Sequence, residues 1–416
     1  MSHVHKRLTD EQVAFVLRQY QAGVLSRASA QQALGVGKTR FFALLQEYRQ
    51  RPAVFSVAYH RSAPTRLSAD TEFAIQRELE RERALVENPD LPISGYNYSA
   101  VQSRLEGQGV AVSLTTIINR AKRLGCYRGH RRRKAHDREV ATTATGALIQ
   151  HDSSTHLWSP FAESKWVLLA SIDDYSRMLL YAEFFPTEST WVHIQAVRSL
   201  VETYGLPLSY YVDSLRIFRF VQHGDSVWHR QIARTDDVDP QWKQMMRLLG
   251  IGVEHALSPQ AKGKIERPFG WLQDRIVRTC ALEHLSTIDE GRAVLRAELD
   301  RYNTHQVHST TKEIPAIRFQ KARALGNCLF RPYSLPRPYT SPDDVFCLRE
   351  TRVIDSYRRI HIANQVIDVP GAPLHDQVEL HLVPDPDKQV MRIRIWHESK
   401  LIRTVARPLK DFGVHF

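Results

Sequence analysis

The sequence predicts a multidomain chain: all-α helix-turn-helix segments first, an α/β block in the middle and a small β-rich module last. Three observations predict it. Helical periodicity with capping residues runs from Leu8 to Leu124, apolar strand-length runs alternate with helical patterns from Leu148 to Cys280, and four strand-like runs separated by Pro and Gly turns lie between Arg359 and Val405. The 416 residues leave room for several domains at ~100–200 residues each.

The first segment, Leu8–Arg49, reads as three short helices. Thr9-Asp10-Glu11-Gln12 is a capping box, after which Val13, Val16, Leu17 and Tyr20 recur at helical spacing and Gly23 ends the helix. Ser29–Leu34 supplies a second helix and Gly35-Val36-Gly37 a turn. Lys38–Tyr48 supplies a third, with Phe41, Phe42, Leu44 and Leu45 facing inward. In this helix-turn-helix layout the last helix enters the major groove by its N-terminal end, which makes Lys38, Thr39 and Arg40 candidate DNA contacts. The alternative is an ordinary three-helix bundle with a solvated basic end.

Arg51–Arg66, with Pro52 and Pro64, reads as a linker. A second helical unit follows. Ser68 caps a charged helix to about Glu87, Asn97 or Ser99 starts another that ends near Gly107-Gln108-Gly109, and Ser113 caps Leu114–Leu124. That last helix carries Thr115, Thr116, Asn119 and Arg120 on its polar side, residue types suited to groove recognition. From Arg120 to Arg138 there are nine Lys or Arg residues, Arg131, Arg132 and Arg133 among them, against one acid, Asp137. Such a run is usually a solvated stretch; placed between a DNA reader and an α/β block, it reads as a linker that tracks phosphates without reading sequence.

The α/β block holds five strand patterns: Leu148–Asp152, Lys165–Asp173, Met178–Phe185, Leu208–Val212 and Gly252–Ala256. Asp174-Tyr175-Ser176-Arg177 is a tight turn, Thr190–Tyr204 a helix, and Lys262–Cys280 a glycine-containing turn running into a long amphipathic helix. Asp152 and Asp213 sit on or just after apolar strands, and Glu266 sits at the start of that last helix. Burying such acids is costly unless they are paired or bind metal. Oxygen ligands suit Mg²⁺ or Mn²⁺, and the lack of clustered Cys and His argues against zinc. Taken singly, an Asp at a strand end is most often a turn former or cap, and a Glu in a first helical turn complements the dipole. Asp173 and Asp174 lead into a turn, where acids need no catalytic reason.

Lys and Arg total 57 against 45 Asp and Glu, a net charge of +12, which favours a polyanionic partner. The four cysteines, Cys126, Cys280, Cys328 and Cys347, form no C-x-x-C pair, so neither a disulfide framework nor a zinc finger is indicated. The start of the chain lacks a signal-peptide core, and no stretch offers ~20 uninterrupted apolar residues. The expected location is the cytoplasm, at the bacterial nucleoid.

The segment from about Leu148 to Phe319 resembles the integrase catalytic core shared by retroviral integrases and bacterial insertion-sequence transposases of the DDE type, with the IS481 and ISNCY groups nearest. The resemblance is carried by QHDSSTHLW around Asp152, WVLLASIDDYSRMLLYAEFFPTEST, GLPLSYYVDS around Asp213, LGIGVEHALSPQAKGKIERPFGWLQDRI around Glu266, and RYNTHQVHSTTKEIPAIRF. It implies an RNase H-like fold. It also implies that Asp152, Asp213 and Glu266 form a catalytic triad binding two Mg²⁺ or Mn²⁺ ions per active site, with no zinc. Lys262, Lys264 and Arg267 would then lie near the DNA backbone. The N-terminal units resemble transposon-end recognition domains, and Tyr339–Ala406 resembles the small SH3-like β-barrel found after many such cores.

The expected domains are therefore residues 1–50 and 66–127 as helix-turn-helix units, 128–145 as a basic linker, 146–325 as the core and 339–416 as the barrel. Two departures from the family pattern stand out. The Asp213–Glu266 interval is 53 positions (266 minus 213), longer than in compact retroviral integrases, which implies an insertion at about 215–244. Ser214-Leu215 also follows Asp213 where many members have Asn-Gly. The function implied is binding of terminal inverted repeats in double-stranded DNA, followed by metal-dependent strand cleavage and strand transfer by a homodimer or higher oligomer. The rivals are a sequence-specific regulator with an inactive core and an RNase H-like nuclease.

Overall fold

The computed structural model describes residue 4 and residues 8–57, 67–129, 142–212, 240–255, 263–363 and 365–412. The chain divides into two compact units, Met1–Glu72 and Phe73–Phe416.

In the smaller unit, α1 (Asp10–Gln21), α2 (Arg27–Leu34) and α3 (Lys38–Gln50) surround a core of Val13, Leu17, Ala30, Leu34, Phe41, Leu44 and Leu45. The expected capping box forms. The Gln12 amide donates to the Thr9 hydroxyl at 3.3 Å, and the Thr9 amide donates to the Gln12 side chain at 2.9 Å. Helix α2 begins two residues earlier than expected, because Ser26 is its cap, with the Ser29 amide donating to it at 3.1 Å. Phe42, expected to face inward, is exposed. One residue past Phe41 it is turned ~100° away from the buried Phe41–Leu44–Leu45 stripe.

The larger unit opens with α4 (Ala69–Glu87), α5 (Tyr98–Gly107) and α6 (Leu114–Arg123). Ser68, Asn97 and Ser113 each accept a backbone N–H three residues ahead, at 3.2, 2.9 and 3.1 Å, as their sequence positions predict.

The α/β block contains β1 (Leu148–His156), β2 (Trp166–Asp173), β3 (Leu179–Phe185), α7 (Thr190–Tyr204), β4 (Ser209–Val212), α8 (Pro240–Leu248), β5 (Gly252–His255), α9 (Gly263–Glu283), α10 (Ile288–Thr304) and α11 (Pro315–Ala324). Its five-stranded sheet has the order β3-β2-β1-β4-β5. The first three strands pair antiparallel, while β4 and β5 join parallel to β1. This is a mixed sheet flanked by helices, as expected. Every residue of β2 is buried. Its even-numbered side chains join a cluster with Ile265, Phe269 and Leu272 of α9, while Leu169 packs on Val192 and Ala196 of α7.

One expectation shifts here. β1 runs on to His156 rather than ending at Asp152, because Ser153, Ser154 and Thr155 continue the ladder against β2. The last residues of the expected 215–244 insertion, from Pro240 onward, belong to α8, which contributes Trp242, Met245 and Met246 to the core. Residues 213–239 lie outside the described residues.

The C-terminal module consists of β6 (Leu348–Val353), β7 (Arg359–Ile362), β8 (Gln365–Asp368), β9 (Gln377–Asp385), β10 (Val390–His397) and β11 (Lys400–Pro408). Among the described residues it forms a four-stranded antiparallel sheet, β11-β10-β9-β6, and the two-stranded hairpin β7-β8. Arg359–Val369, expected as one strand, folds back on itself near Ala363 (φ 45°). Asp344 is the module's buried anchor, accepting from Arg394 Nε at 2.5 Å and Trp396 Nε1 at 2.9 Å. Burial works to raise its carboxyl, but His381 and Arg394 hold it well below the usual carboxylate range. Among the described residues, no helix is long and apolar enough to cross a membrane.

Gly291 of α10 is buried against β2, and a Cβ added there would meet the Trp166 ring at 2.4 Å. Gly291→Ala would gain up to ~1 kcal/mol in helix propensity, while overpacking costs typically ~1–3 kcal/mol. The expected outcome is a net loss of about 1 kcal/mol in chemical denaturation. A stabilised variant would show that the α10–β2 contact is looser than described.

Candidate active site

Residues opposite each other on paired strands share a face of the sheet. The pairs Gln150↔Ile172, Asp152↔Ala170, Ser154↔Leu168 and His156↔Trp166 therefore place Asp152 on the face that β2 presents to α9 and α10. Asp152 is half-buried there.

Helix α9 covers that face because Ile265, Phe269, Leu272, Ile276 and Cys280 recur at helical spacing and join the β2 cluster. Two polar links set its direction. At one end the Lys264 ammonium lies 2.8 Å from Asp174, whose other oxygen accepts from Gln150 of β1 at 2.7 Å. At the other end Gln273 pairs with His156 of β1 at 2.9 Å. The helix therefore runs parallel to β1 along its even-numbered face. Asp152 lies two residues beyond Gln150, ~7 Å along the strand, and Glu266 lies two residues beyond Lys264, ~3 Å along the helix. The two acids are thus level to within about one side-chain length. Glu266 is exposed in the first turn, on the same helical stripe as Gln273, seven residues on.

The opposite face of β1 is also polar where it is buried. His151 pairs with Ser171 at 2.8 Å and with His193 of α7 at 2.9 Å. His193 in turn meets Glu188 at 3.0 Å, and Ser153 donates to Glu188 at 2.7 Å. This chain of bonds fixes the strand on both sides of Asp152. Asp173 accepts from Thr145, Gly146 and Ser176, and burial still pushes its carboxyl up. Both turn acids, Asp173 and Asp174, thus have structural partners.

No family model matches the chain. It is 27% identical over 295 residues to y4bF of Sinorhizobium fredii, a protein carrying a transposase name, in a match covering 69% of this chain and 59% of that one. It is also 27% identical over 171 residues to the transposase for insertion sequence IS1202 of Streptococcus pneumoniae, covering 41% of this chain and 35% of that one. The chain is thus similar in sequence to two proteins that carry transposase names. It spans between about a third and three fifths of the length of these curated relatives. Among solved structures, the catalytic core domain of BIV integrase aligns with 44% of this chain and 98% of its own, at 17% identity and a TM-score of 0.31. The HTLV-2 integrase catalytic core domain in complex with magnesium aligns with 42% and 97%, at 13% identity and a TM-score of 0.31. At these scores the fold description rests on the sheet order instead.

Asp152 and Glu266 are carried on adjoining elements, while Asp213 lies outside the described residues, directly after β4. The β1–β4 ladder runs side by side as far as Gln150↔Tyr211. Among the described residues, no group of three or more His, Cys, Asp or Glu is placed to hold a metal ion. Lys262, Arg131, Arg132 and Arg133 also lie outside the described residues. Lys38, Thr39 and Arg40 are exposed at the start of α3, as are Thr115 and Asn119 on α6, whereas Thr116 and Arg120 are partly buried. Arg267 is exposed and donates to Thr310 at 3.2 Å. Lys264, expected near DNA, is mostly buried and moors α9 to Asp174. The residues that sequence reasoning missed are those moorings: Gln150, Asp174, His156 and Gln273. For Gln150 and His156 the signal was the polar run QHDSSTH, which follows directly on the buried Leu148 and Ile149 in one strand.

Burial, and then the nearby Lys165, lower the His156 imidazole from its ordinary value of 6.5, which leaves it neutral to accept from the Gln273 amide. The unfolded chain therefore takes up that proton first. The associated stability is complete above the ordinary imidazole range and falls as pH drops below it. His156→Gln should flatten the loss of stability between pH ~7 and ~5 in denaturant titrations. Equal slopes for variant and native protein would refute the His156–Gln273 mooring.

Proposed function

We propose that this protein is a DNA transposase that binds the ends of its element through α3 and α6 and cuts and joins DNA strands at a site built on Asp152, Asp213 and Glu266. The observation that supports it most is the parallel mooring of α9 along β1, which brings Asp152 and Glu266 level on one sheet face. The oxygen-only donor set fits Mg²⁺ or Mn²⁺. His156 is engaged by Gln273, so it does not argue for zinc. Asp152, Asp213 and Glu266 would hold two such ions, which supply charge stabilisation for in-line phosphoryl transfer.

The chain's own groups prepare that site. Lys264 balances the Asp174 carboxylate, so no uncompensated buried charge competes with the acids beside it. Partners on this reading are double-stranded element ends and target DNA, bound by a homodimer or higher oligomer because two ends must be joined. The RNase H-like identity of the core, the two helix-turn-helix units, the β-barrel relationship of the C-terminal module and a nucleoid location in the cytoplasm belong to the same proposal. The 53-residue Asp213–Glu266 interval (266 minus 213) supports a place near the IS481 and ISNCY groups.

Asp152→Asn, Asp213→Asn and Glu266→Gln should each lower cleavage and strand transfer on element-end DNA by about a hundredfold or more, while end binding stays intact. Full activity in Asp213→Asn would sink the triad. Cleavage without joined product would favour a nuclease, and binding without cleavage a regulator. Lys38→Ala with Arg40→Ala should weaken end binding and flatten its dependence on salt by about one unit of slope per lost phosphate contact, measured by titration at several ionic strengths. An unchanged salt slope would remove α3 from the interface.

A further inference from the structure

Helix α9 is buried on a second side as well. Beyond the stripe that meets the sheet, Val277 and Ala281 pack on Leu85 and Ile93, beside α4 and the segment that leads into α5. Around that apolar contact lies a dense polar lock. Arg278 is almost fully buried and reaches three groups: Glu82 of α4 at 2.5 Å, the Gly95 carbonyl at 2.5 Å, and Asp274 at 2.9 Å. Asp274 also accepts from the side chain of Asn97, the residue that caps α5. Glu82, with no exposed side-chain surface, is further held by the Asn97 amide at 2.9 Å and by Arg104 of α5 at 3.0 Å. Arg275 donates to Ser103 of α5 and pairs with Glu298 of α10 at 3.4 Å.

This pattern differs from that of a DNA reader swinging on a tether. Interfaces between independently moving domains are polar and hydrated. Here two buried ions of opposite charge are each satisfied by several fixed partners, an arrangement that specifies one geometry and tolerates no sliding. The planar guanidinium of Arg278 serves these three acceptors from a rigid fork, a fixed geometry that a rotatable ammonium does not impose.

On the reading that this chain is a transposase, we propose that Glu82, Asn97, Asp274 and Arg278 are positioning residues. They lock the second helical unit to the helix that bears Glu266, so that DNA gripped by α6 meets the cutting site at a fixed offset. Glu266 stands twelve residues before Arg278, ~18 Å along one continuous helix. The distance from recognition to cutting is therefore set along α9, which is continuous through Pro268, and not by the basic segment that joins α6 to β1 in sequence.

Two readouts test this. In the first, hydrogen exchange on the full chain compares native protein with Asp274→Asn, whose carboxylate is partly exposed, and with the doubly neutral Glu82→Gln/Arg278→Gln. Both variants should lose amide protection in α5 and along the second half of α9; unchanged protection overturns the lock whether or not the protein cuts DNA. In the second, the cleavage position is mapped on element-end DNA with Mg²⁺ or Mn²⁺. The same variants should bind ends normally yet place about tenfold fewer cuts at the native phosphodiester, while a flexible glycine–serine insertion after Gly129 leaves the position unchanged. Native precision in the variants, or a cut displaced by the insertion, overturns the proposal. If the native protein binds ends but never cuts, the transposase reading falls, and the exchange experiment still decides the lock.

Discussion

The larger unit depends on the burial of α9 along two of its sides. One side is apolar and seats on the sheet through Ile265, Phe269, Leu272 and Ile276. The other combines a small apolar contact with the buried Arg278–Glu82 pair. Breaking such a pair from one side leaves a charge without compensation and typically costs ~3–5 kcal/mol, more than a surface ion pair by severalfold. The helix thus cannot shift toward the sheet or toward α4 without disturbing the other partner. Glu266 inherits that fixity although it is itself exposed, because it stands in the first turn of a helix held on both flanks.

The strand beneath it is fixed in a complementary way. β1 places carboxylate, amide and imidazole groups on one face and His151, paired with His193 of α7, on the other, beside a strand that is wholly buried. Buried polar groups are tolerated when each has a partner. Gln150 finds Asp174, His156 finds Gln273, and His151 finds Ser171 and His193. The polar strand is consequently a rigid platform, which suits a site whose acids must hold their positions against mutual repulsion.

Much of this was legible in the sequence wherever local chemistry decides the structure. Thr9, Ser68, Asn97 and Ser113 cap helices because a short side-chain oxygen can satisfy a free N–H, and nothing distant is needed to see it. The length of α7 and the apolar run of β2 follow from periodicity in the same way. Strand β6 was missed because LRETRV shows no apolar alternation; its Arg349 is buried by pairing with Glu379 and with His381 of the neighbouring strand, information held tens of residues away. The mooring of α9 was hidden for the same reason, since Asp174, which pairs with Lys264, stands ninety residues away in sequence. Asp152 and Glu266 could be named from motifs, but that they lie level follows only from the Gln150–Asp174–Lys264 and His156–Gln273 links.

The exposed first turns of α3 and α6 carry almost none of the packing that builds their cores, whereas a single change at Arg278 or Glu82 disturbs several elements at once. Mutational tolerance is therefore divided unequally along the chain. Lineages of this protein can drift at Lys38, Thr39, Arg40, Thr115 and Asn119 at little cost in stability, while α9 and the residues that clasp it change only in concert. A protein organised in this way can vary its exposed helix faces faster than the frame that holds α9.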